Sequence, residues 1–565
     1  MGTTEGTDLT DAAAEALAAP SLCAAFQITA AARGDAPALR LPDDSVNISW
    51  AEYAKRVRAL AEGFAALGVQ DGGAVALLLA NRPEANLCDT AAIHIGAASF
   101  SIYFTNPAEE IVPLLKNSGA RVVVTETAYL DRILETRELY PEIDTIICVD
   151  GDGGDMRLED VEGLTAEDFD FTARWQSLGR DHVVTLVYTS GTTGEPKGVQ
   201  HTHHTLMYGL DGLQKFDPVT PNGAVVSYLP MAHIAERWIS HYASMVFGHT
   251  ITSCPDRTQL NAALTTARPT RLFGVPRVFE KIADGIAKMA AADPEGPLAT
   301  GLAAGLARVR AQQESGGTDG HDPQDDGLSD EQKAALAAVR EKLGLDRLEW
   351  TCVAAAPSAV ATHEAFHAAG IPLLQIWGMS ECIYTTCTPV RDIRLGTVGK
   401  AVPGVEVKLA EDGEILVKGP NVMVGYRNEP EKTAEAVDAD GWLHSGDVAR
   451  ADAEGHLTIF DRKKELIINS SGKNMSPQKI EIVIKQANPL IGQVAAIGDG
   501  RPYVTALITL DPEGLAERGL DPAAAAEDEE LCARVATAVE TANEKLARVE
   551  QIKYHTLLGV TWPPG

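Results

Sequence analysis

The sequence predicts an α/β protein: a large N-terminal domain of doubly wound sheets with helices and a β-rich subdomain, then a small mobile α+β domain. Two observations carry this. Short apolar runs recur along the chain, as at Ala74–Leu79, Val122–Thr125, Thr145–Val149 and Val183–Tyr188. Amphipathic stretches of helical period, such as Trp50–Leu67 and Glu109–Asn117, alternate with them. Apolar runs of that length suit strands buried on both faces, and the alternation with helices suits parallel sheets. The length supports the division, because 565 residues exceed what one hydrophobic core serves.

The α/β pattern holds to about Pro276. Residues 282–343 are read as a flexible helical insertion, with a Gly- and Asp-rich loop at Glu314–Ser329 between two helices. Strands return at Trp350. Val405–Leu409 and Glu414–Lys418 flank Glu411-Asp412-Gly413, a hairpin signal. Leu457–Phe460 and Glu465–Ile468 bracket the charged Asp461-Arg462-Lys463-Lys464. The boundary is placed there: residues 1–460 form the first domain, 461–464 a hinge, and 465–565 the second. In that second domain, helices are expected near Gln478–Gln486 and Glu529–Leu546. Strands are expected near Gln493–Gly498 and Val504–Leu510.

Composition narrows the function. The net charge is -31, which repels nucleic acid and anionic lipid alike. Any nucleotide site therefore needs local donors and a few basic side chains. Eight scattered cysteines fit a reduced, cytoplasmic chain. Met1–Ala19 lacks the basic segment of a signal peptide, and no run of about 18 apolar residues is present. Peripheral contact with the inner face of a membrane is left open.

The most informative segment is Tyr188-Thr189-Ser190-Gly191-Thr192-Thr193-Gly194-Glu195-Pro196-Lys197-Gly198. It follows an apolar strand. Its glycines let several N–H groups converge on one anion, its hydroxyls add donors, and Lys197 adds a mobile positive charge. This reads as a phosphate cradle. It is not a Walker A loop, because Pro196 stands where that pattern needs Gly. Gly378-Met379-Ser380-Glu381-Cys382 approaches a nucleophile elbow but ends in Cys rather than Gly. His201, His203 and His204 cluster without a carboxylate nearby in sequence, so they are not read as a metal site.

The cradle resembles the signature loop of the adenylate-forming superfamily, which includes acyl-CoA synthetases, luciferases and peptide-synthetase adenylation domains. Other motifs of that superfamily recur in order. Leu229-Pro-Met-Ala-His233-Ile-Ala-Glu236-Arg237 is similar to the segment lining the acyl site, and Gln375-Ile-Trp377-Gly378-Met379-Ser380-Glu381 to the adenine and Mg²⁺ motif. His444-Ser-Gly-Asp447 resembles the ribose motif, Asp461–Lys464 the hinge, and Ser471-Gly472-Lys473-Asn474 the loop after it. Ser101–Pro107 and Phe273–Lys281 look most like bacterial long-chain fatty acid–CoA ligases.

The resemblance implies an acyl-CoA synthetase using ATP, Mg²⁺ and CoA. A fatty or other carboxylic acid becomes an acyl-adenylate, and its acyl group passes to CoA. A carrier-protein thiol is the alternative acceptor, and a non-catalytic nucleotide- or acyl-binding protein the alternative of another class. Residues Thr189 to Gly194 and Lys197 would hold the phosphates, and Glu381 the Mg²⁺. Ala356, Pro357, Gln375, Trp377, Gly378, Met379, Ser380, Asp447 and Arg462 would hold adenine and ribose. His233 and Gly274 would line the acyl site. Lys464 would be the hinge, and Ser471, Gly472 and Lys473 the CoA-side loop. Lys197, Glu381 and His233 are the catalytic candidates.

Two departures from the family pattern stand out. Ala354-Ala355-Ala356-Pro357 occupies a position where relatives carry Gly, so added methyl groups would crowd the adenine. In relatives a lysine used in adenylation follows a segment like Val549–Trp562. Here Pro563-Pro564-Gly565 comes first, so either the small domain is truncated or another group fills that lysine's role.

Overall fold

In the computed structural model, the described residues are 9–189, 196–316, 327–470, 473–516, 518–560 and 562. The chain divides into two compact units. One is Met1–Val407 with Val417–Leu443, the other Lys408–Leu416 with His444–Gly565.

Three sheets build the larger unit. The widest runs in the order 425–426, 197–202, 183–189, 98–101, 74–78, 122–125, 145–148, 156–157. From 183–189 to 156–157 its strands are parallel, while 197–202 and 425–426 add antiparallel at one edge. A second sheet has 271–274, 350–353 and 373–379 in parallel, then 382–387 and 400–401 antiparallel. A third joins 224–227, 250–253, 37–40 and 47–49.

The expected elements form for the reasons their sequences suggest. Residues 74–78, 98–101 and 122–125 are buried along their whole length, as strands covered by helices on both faces must be. Helix Trp50–Ala66 is capped by the Ser49 side chain, which accepts from the Glu52 N–H. It buries Trp50, Tyr53, Val57, Leu60 and Phe64, a stripe at helical spacing. Burial of each such large side chain contributes about 1.5–3 kcal/mol.

Within 282–343, helices Pro276–Ala291, Pro297–Glu314 and Asp330–Lys342 are present. Residues 317–326 of the expected loop lie outside the described residues. Helix Pro297–Glu314 packs on Val360–Ala368 at Gly305, where a Cβ would meet the Ala368 carbonyl at 2.6 Å.

The smaller unit holds a three-stranded sheet of 491–497, 504–510 and 552–557. Helices Pro477–Ala487 and Glu529–Lys545 cover it, and their Ile480, Ile484, Val535 and Val539 join one apolar core. The hairpin signal at Glu411–Gly413 is a turn between 406–409 and 414–418, with Gly413 at φ +84°. In the charged tetrad, Asp461 is buried at a strand end. Its Oδ2 accepts from Ser476 Oγ at 2.6 Å, which ties the start of helix Pro477–Ala487 to that strand.

Five buried histidines make the fold acid-sensitive. Burial pushes His94, His201 and His363 down to about 4, His203 to about 3, and His249 well below its usual value. In the unfolded chain each takes a proton near pH 6.5. Their contribution is therefore full above that pH and is lost as pH falls toward 4. Each ring adds a slope of up to about 1.4 kcal/mol per pH unit. Burial raises Asp217 to about 6 and Glu236 to about 7, which offsets part of this in the opposite sense. Urea denaturation midpoints should therefore fall steadily from pH 6.5 to 4.5. A flat profile over that interval would show that the rings take up protons in place.

Candidate active site

The cradle sequence connects two antiparallel strands, Val183–Thr189 and Lys197–Thr202, with Thr189 paired to Lys197. Thr189 and Lys197 thus stand at the two rims of the loop. Ser190, Gly191, Thr192, Thr193 and Gly194 lie outside the described residues.

The geometry of the rims depends on Gly198. A Cβ there would meet Asn117 Oδ1 at 2.8 Å and the Tyr188 ring at 3.1 Å. Its absence admits a bracing set: Tyr188 Oη donates to Asn117 Oδ1 at 3.0 Å, and Asn117 Nδ2 donates to the Arg427 carbonyl at 3.0 Å. Segment Gly425–Tyr426 is thereby held as an edge strand, with Tyr426 paired to Val199.

Glu381 reaches the same place from the second sheet. Strands Leu373–Met379 and Cys382–Cys387 pair Met379 with Cys382, so Ser380 and Glu381 form a two-residue turn. Gly378 marks an irregularity in the pairing, and a Cβ there would meet the Cys382 carbonyl at 2.8 Å. Glu381 is 8 % exposed, and its Oε1 accepts from Tyr426 Oη at 2.8 Å. Lys197 Nζ lies 4.8 Å from the centre of the Tyr426 ring. Burial and the Glu381 carboxylate hold the Tyr426 hydroxyl well above its usual pKa, so it stays a donor. One tyrosine therefore touches both groups at the loop rim, the carboxylate through its hydroxyl and the ammonium through its ring. Sequence reading missed Tyr426 because the signal, a Gly-Tyr pair remote from the loop, has meaning only once the edge strand forms.

The adenine candidates follow the same strand. Gln375 Oε1 is buried without a hydrogen-bond partner among the described residues. Trp377 is 7 % exposed, while Gly378, Ala356 and Pro357 are exposed. Met379 and Ser380 are half-buried. Ala355 has φ +71°, the left-handed conformation that Gly adopts without penalty. The backbone at this departure from the family pattern is thus still the one a glycine would suit.

At the acyl-site candidates, His233 is half-buried and caps the short turn Ile234–Glu236. Its Nδ1 accepts from the Ala235 N–H at 3.1 Å, so the neutral ring carries its proton on Nε2. Burial lowers its pKa, which keeps it in that form. Gly274 ends strand Arg271–Gly274, and a Cβ there would meet Tyr228 Oη at 2.7 Å and the Phe279 ring at 2.8 Å. Its absence lets Tyr228 donate to the Phe273 carbonyl at 2.9 Å.

The remaining candidates belong to the smaller unit. Asp447 and Arg462 face each other across paired strands, with Arg462 Nε 3.6 Å from Asp447 Oδ1. Arg462 is exposed and Asp447 largely covered. Lys464 is exposed. Asn469 Oδ1 accepts from the Lys473 N–H at 3.0 Å, and Lys473 is exposed. Ser471 and Gly472 lie outside the described residues.

Comparisons with known proteins identify the family. Residues 26–427 match the family described as AMP-binding enzyme, and residues 464–563 match the AMP-binding enzyme C-terminal domain. The chain is 45% identical over 424 residues to a fatty-acid–CoA ligase named fadD11 of Mycobacterium tuberculosis, covering 73% of this chain and 74% of that one. It is 33% identical over 536 residues to the long-chain-fatty-acid–CoA ligase FadD15 of Mycobacterium bovis, covering 91% and 87%. ATP-bound MatB from Rhodopseudomonas palustris shares the fold, with a TM-score of 0.70, 23% identity, and 96% and 95% of the two chains covered. On the match over residues 26–427 and the identity to these relatives, the chain belongs to the AMP-binding, adenylate-forming enzyme family.

Proposed function

We propose that this protein is an acyl-CoA synthetase acting on a medium- or long-chain fatty acid. The observation that carries the reading is the meeting of Lys197, Tyr426 and Glu381 at the rim of the phosphate loop. The relatives named fatty-acid–CoA ligases support the choice of acid and of CoA.

In the first half-reaction a carboxylate oxygen of the acid bonds to the α-phosphorus of ATP. The bond to the bridging oxygen breaks, and pyrophosphate leaves. Lys197 and the loop donors offset charge on the phosphates. Gln375 Oε1, an acceptor with no partner among the described residues, suits the amino group of adenine. Asp447 and Arg462 take the ribose hydroxyls, and His233 and Gly274 line the path of the acid. In the second half-reaction the CoA sulfur bonds to the acyl carbonyl carbon. The carbon–oxygen bond to AMP breaks, and the thiol proton passes to solvent. Lys464 serves as hinge and Ser471–Lys473 as the loop for this half.

The residues present fit Mg²⁺. Glu381 is a hard oxygen ligand, and among the described residues its carboxylate accepts a hydrogen bond from Tyr426. Among those residues no group of three or more His, Cys, Asp or Glu could cage a metal, so phosphate oxygens and water would complete the shell. Bound there, Mg²⁺ would neutralise charge on the triphosphate.

No helix among the described residues is long and apolar enough to cross a membrane. We place the reaction in the cytoplasm, in keeping with the eight free cysteines.

The test is pyrophosphate release with a panel of acids from acetate to stearate, with and without CoA. Each buried CH₂ contributes up to about 0.8 kcal/mol, so kcat/KM should climb severalfold per methylene until the site is filled. An optimum at acetate or at an aromatic acid would refute the fatty-acid reading. Accumulation of acyl-AMP that CoA does not discharge would favour a carrier-protein acceptor. Absence of acid-dependent release would favour a binding protein.

A further inference from the structure

The motif that sequence reading set aside as a rejected metal cluster contains a residue with a defined place in this site. His201 lies on strand Lys197–Thr202, four residues after Lys197, and is 0 % exposed. Alternation along a strand puts Lys197, Val199 and His201 on one face. His201 Nε2 is 2.6 Å from the carbonyl oxygen of Ser380, the residue before Glu381. A carbonyl can only accept, so Nε2 carries the proton and donates. The other nitrogen, Nδ1, is 3.3 Å from Thr205 Oγ1.

We propose that His201 is a positioning residue for binding the metal–nucleotide complex: it holds the Ser380 carbonyl and thereby fixes the turn that aims Glu381. The inference rests on the function proposed above.

The turn has two residues, and both of its carbonyls are tethered. The Ser380 carbonyl accepts from His201, and the Glu381 carbonyl accepts from the Met423 N–H at 2.7 Å. The Glu381 carboxylate accepts from Tyr426. These tethers come from segments that are joined to each other, since the Val424 N–H donates to the Gln200 carbonyl at 3.1 Å and Tyr426 pairs with Val199. The strand that begins with Lys197 therefore sets the cation directly and the carboxylate through His201. Burial pushes the His201 ring down to about 4, so it remains neutral and keeps one donor across the working pH range. Groups that orient a metal-binding side chain typically change metal affinity by about 10–100-fold when removed.

Three variants of the full chain separate this role from packing. His201→Gln places an amide nitrogen near the Nε2 position and keeps the donor. His201→Leu fills the space without one. His201→Asn keeps a polar group on the Thr205 side but stops short of Ser380, and it replaces His201→Leu if that variant does not fold. Binding of MgATP and of metal-free AMP is measured by calorimetry without acid. The Leu or Asn variant should bind MgATP at least about tenfold more weakly. AMP binding should stay within about twofold, and the Gln variant should match the wild type. Unchanged MgATP binding, an equal loss for AMP and MgATP, or failure of Gln to rescue would overturn the proposal. Wild-type protein that binds MgATP but shows no acid-dependent pyrophosphate release would sink the acyl-CoA synthetase reading, while the variant comparison still decides the role of His201.

Discussion

Glu381→Gln should lower acid-dependent pyrophosphate release by about 10²–10³-fold while leaving the fold intact. The substitution is isosteric, and a Gln carbonyl oxygen still accepts from Tyr426 Oη, so little packing is lost. What disappears is the negative charge of the proposed metal ligand, at the Tyr426 hydroxyl. Lys197→Ala should fall in the same range, because it removes the ammonium that lies over the Tyr426 ring. The measurement is single-turnover pyrophosphate release under saturating acid, paired with a urea unfolding curve. Near-normal release in either variant would remove that residue from the site. The two losses should be far from additive in the double variant if both groups act on the same phosphates, as proposed.

The parts of this protein that a sequence can disclose are those governed by local rules. Strands 74–78, 122–125 and 145–148 were legible because burial makes most of their residues apolar. Helix Trp50–Ala66 was legible because its buried side chains recur at helical spacing. Thr189 and Lys197 were named as candidates from the chemistry of the Gly/Thr-rich loop and Glu381 from the family resemblance, and the structure brings Lys197 and Glu381 to one tyrosine. What stayed hidden depends on pairing between distant segments. Tyr426 acts only because residues 425–426 join the edge of the sheet beside 197–202. His201 was visible as a histidine, but its partner is a backbone carbonyl 179 residues away. A carbonyl has no sequence signature. Asp461 was read as part of a charged hinge, whereas its carboxylate is buried against Ser476. Charge alone does not distinguish a solvated aspartate from one that anchors a helix.

Arg237→Met should destabilise the larger unit by about 3–5 kcal/mol, the usual cost of leaving a buried charge without its partner. Asp89 is 0 % and Arg237 1 % exposed, and the two form an ion pair. The surrounding groups complete the set. Arg237 also donates to Ser99 Oγ at 2.7 Å and to Tyr242 Oη at 3.1 Å, while Ser99 Oγ donates to Asp89 Oδ2 at 3.1 Å. The wide turns of the π-helix Arg237–Tyr242 belong to this arrangement, since Arg237, His241 and Tyr242 all lie against Asp89. Burial pushes Asp89 up, but Arg237 and His241 together outweigh it and hold the carboxyl down to about 2. A carboxylate depressed in this way stabilises the fold above its ordinary pKa and ceases to do so only as pH falls toward 2. The pair is therefore fully ionised wherever the enzyme works, and removing the cation exposes the whole desolvation cost. Asp89→Asn in the Arg237→Met background removes the stranded charge and should recover at least about half of the loss. Urea unfolding of the two single variants and the double variant at pH 7.5 measures this. Additive losses in the double variant, or a cost below about 1 kcal/mol for Arg237→Met, would show that the surrounding hydroxyls and His241 neutralise Asp89 without the guanidinium.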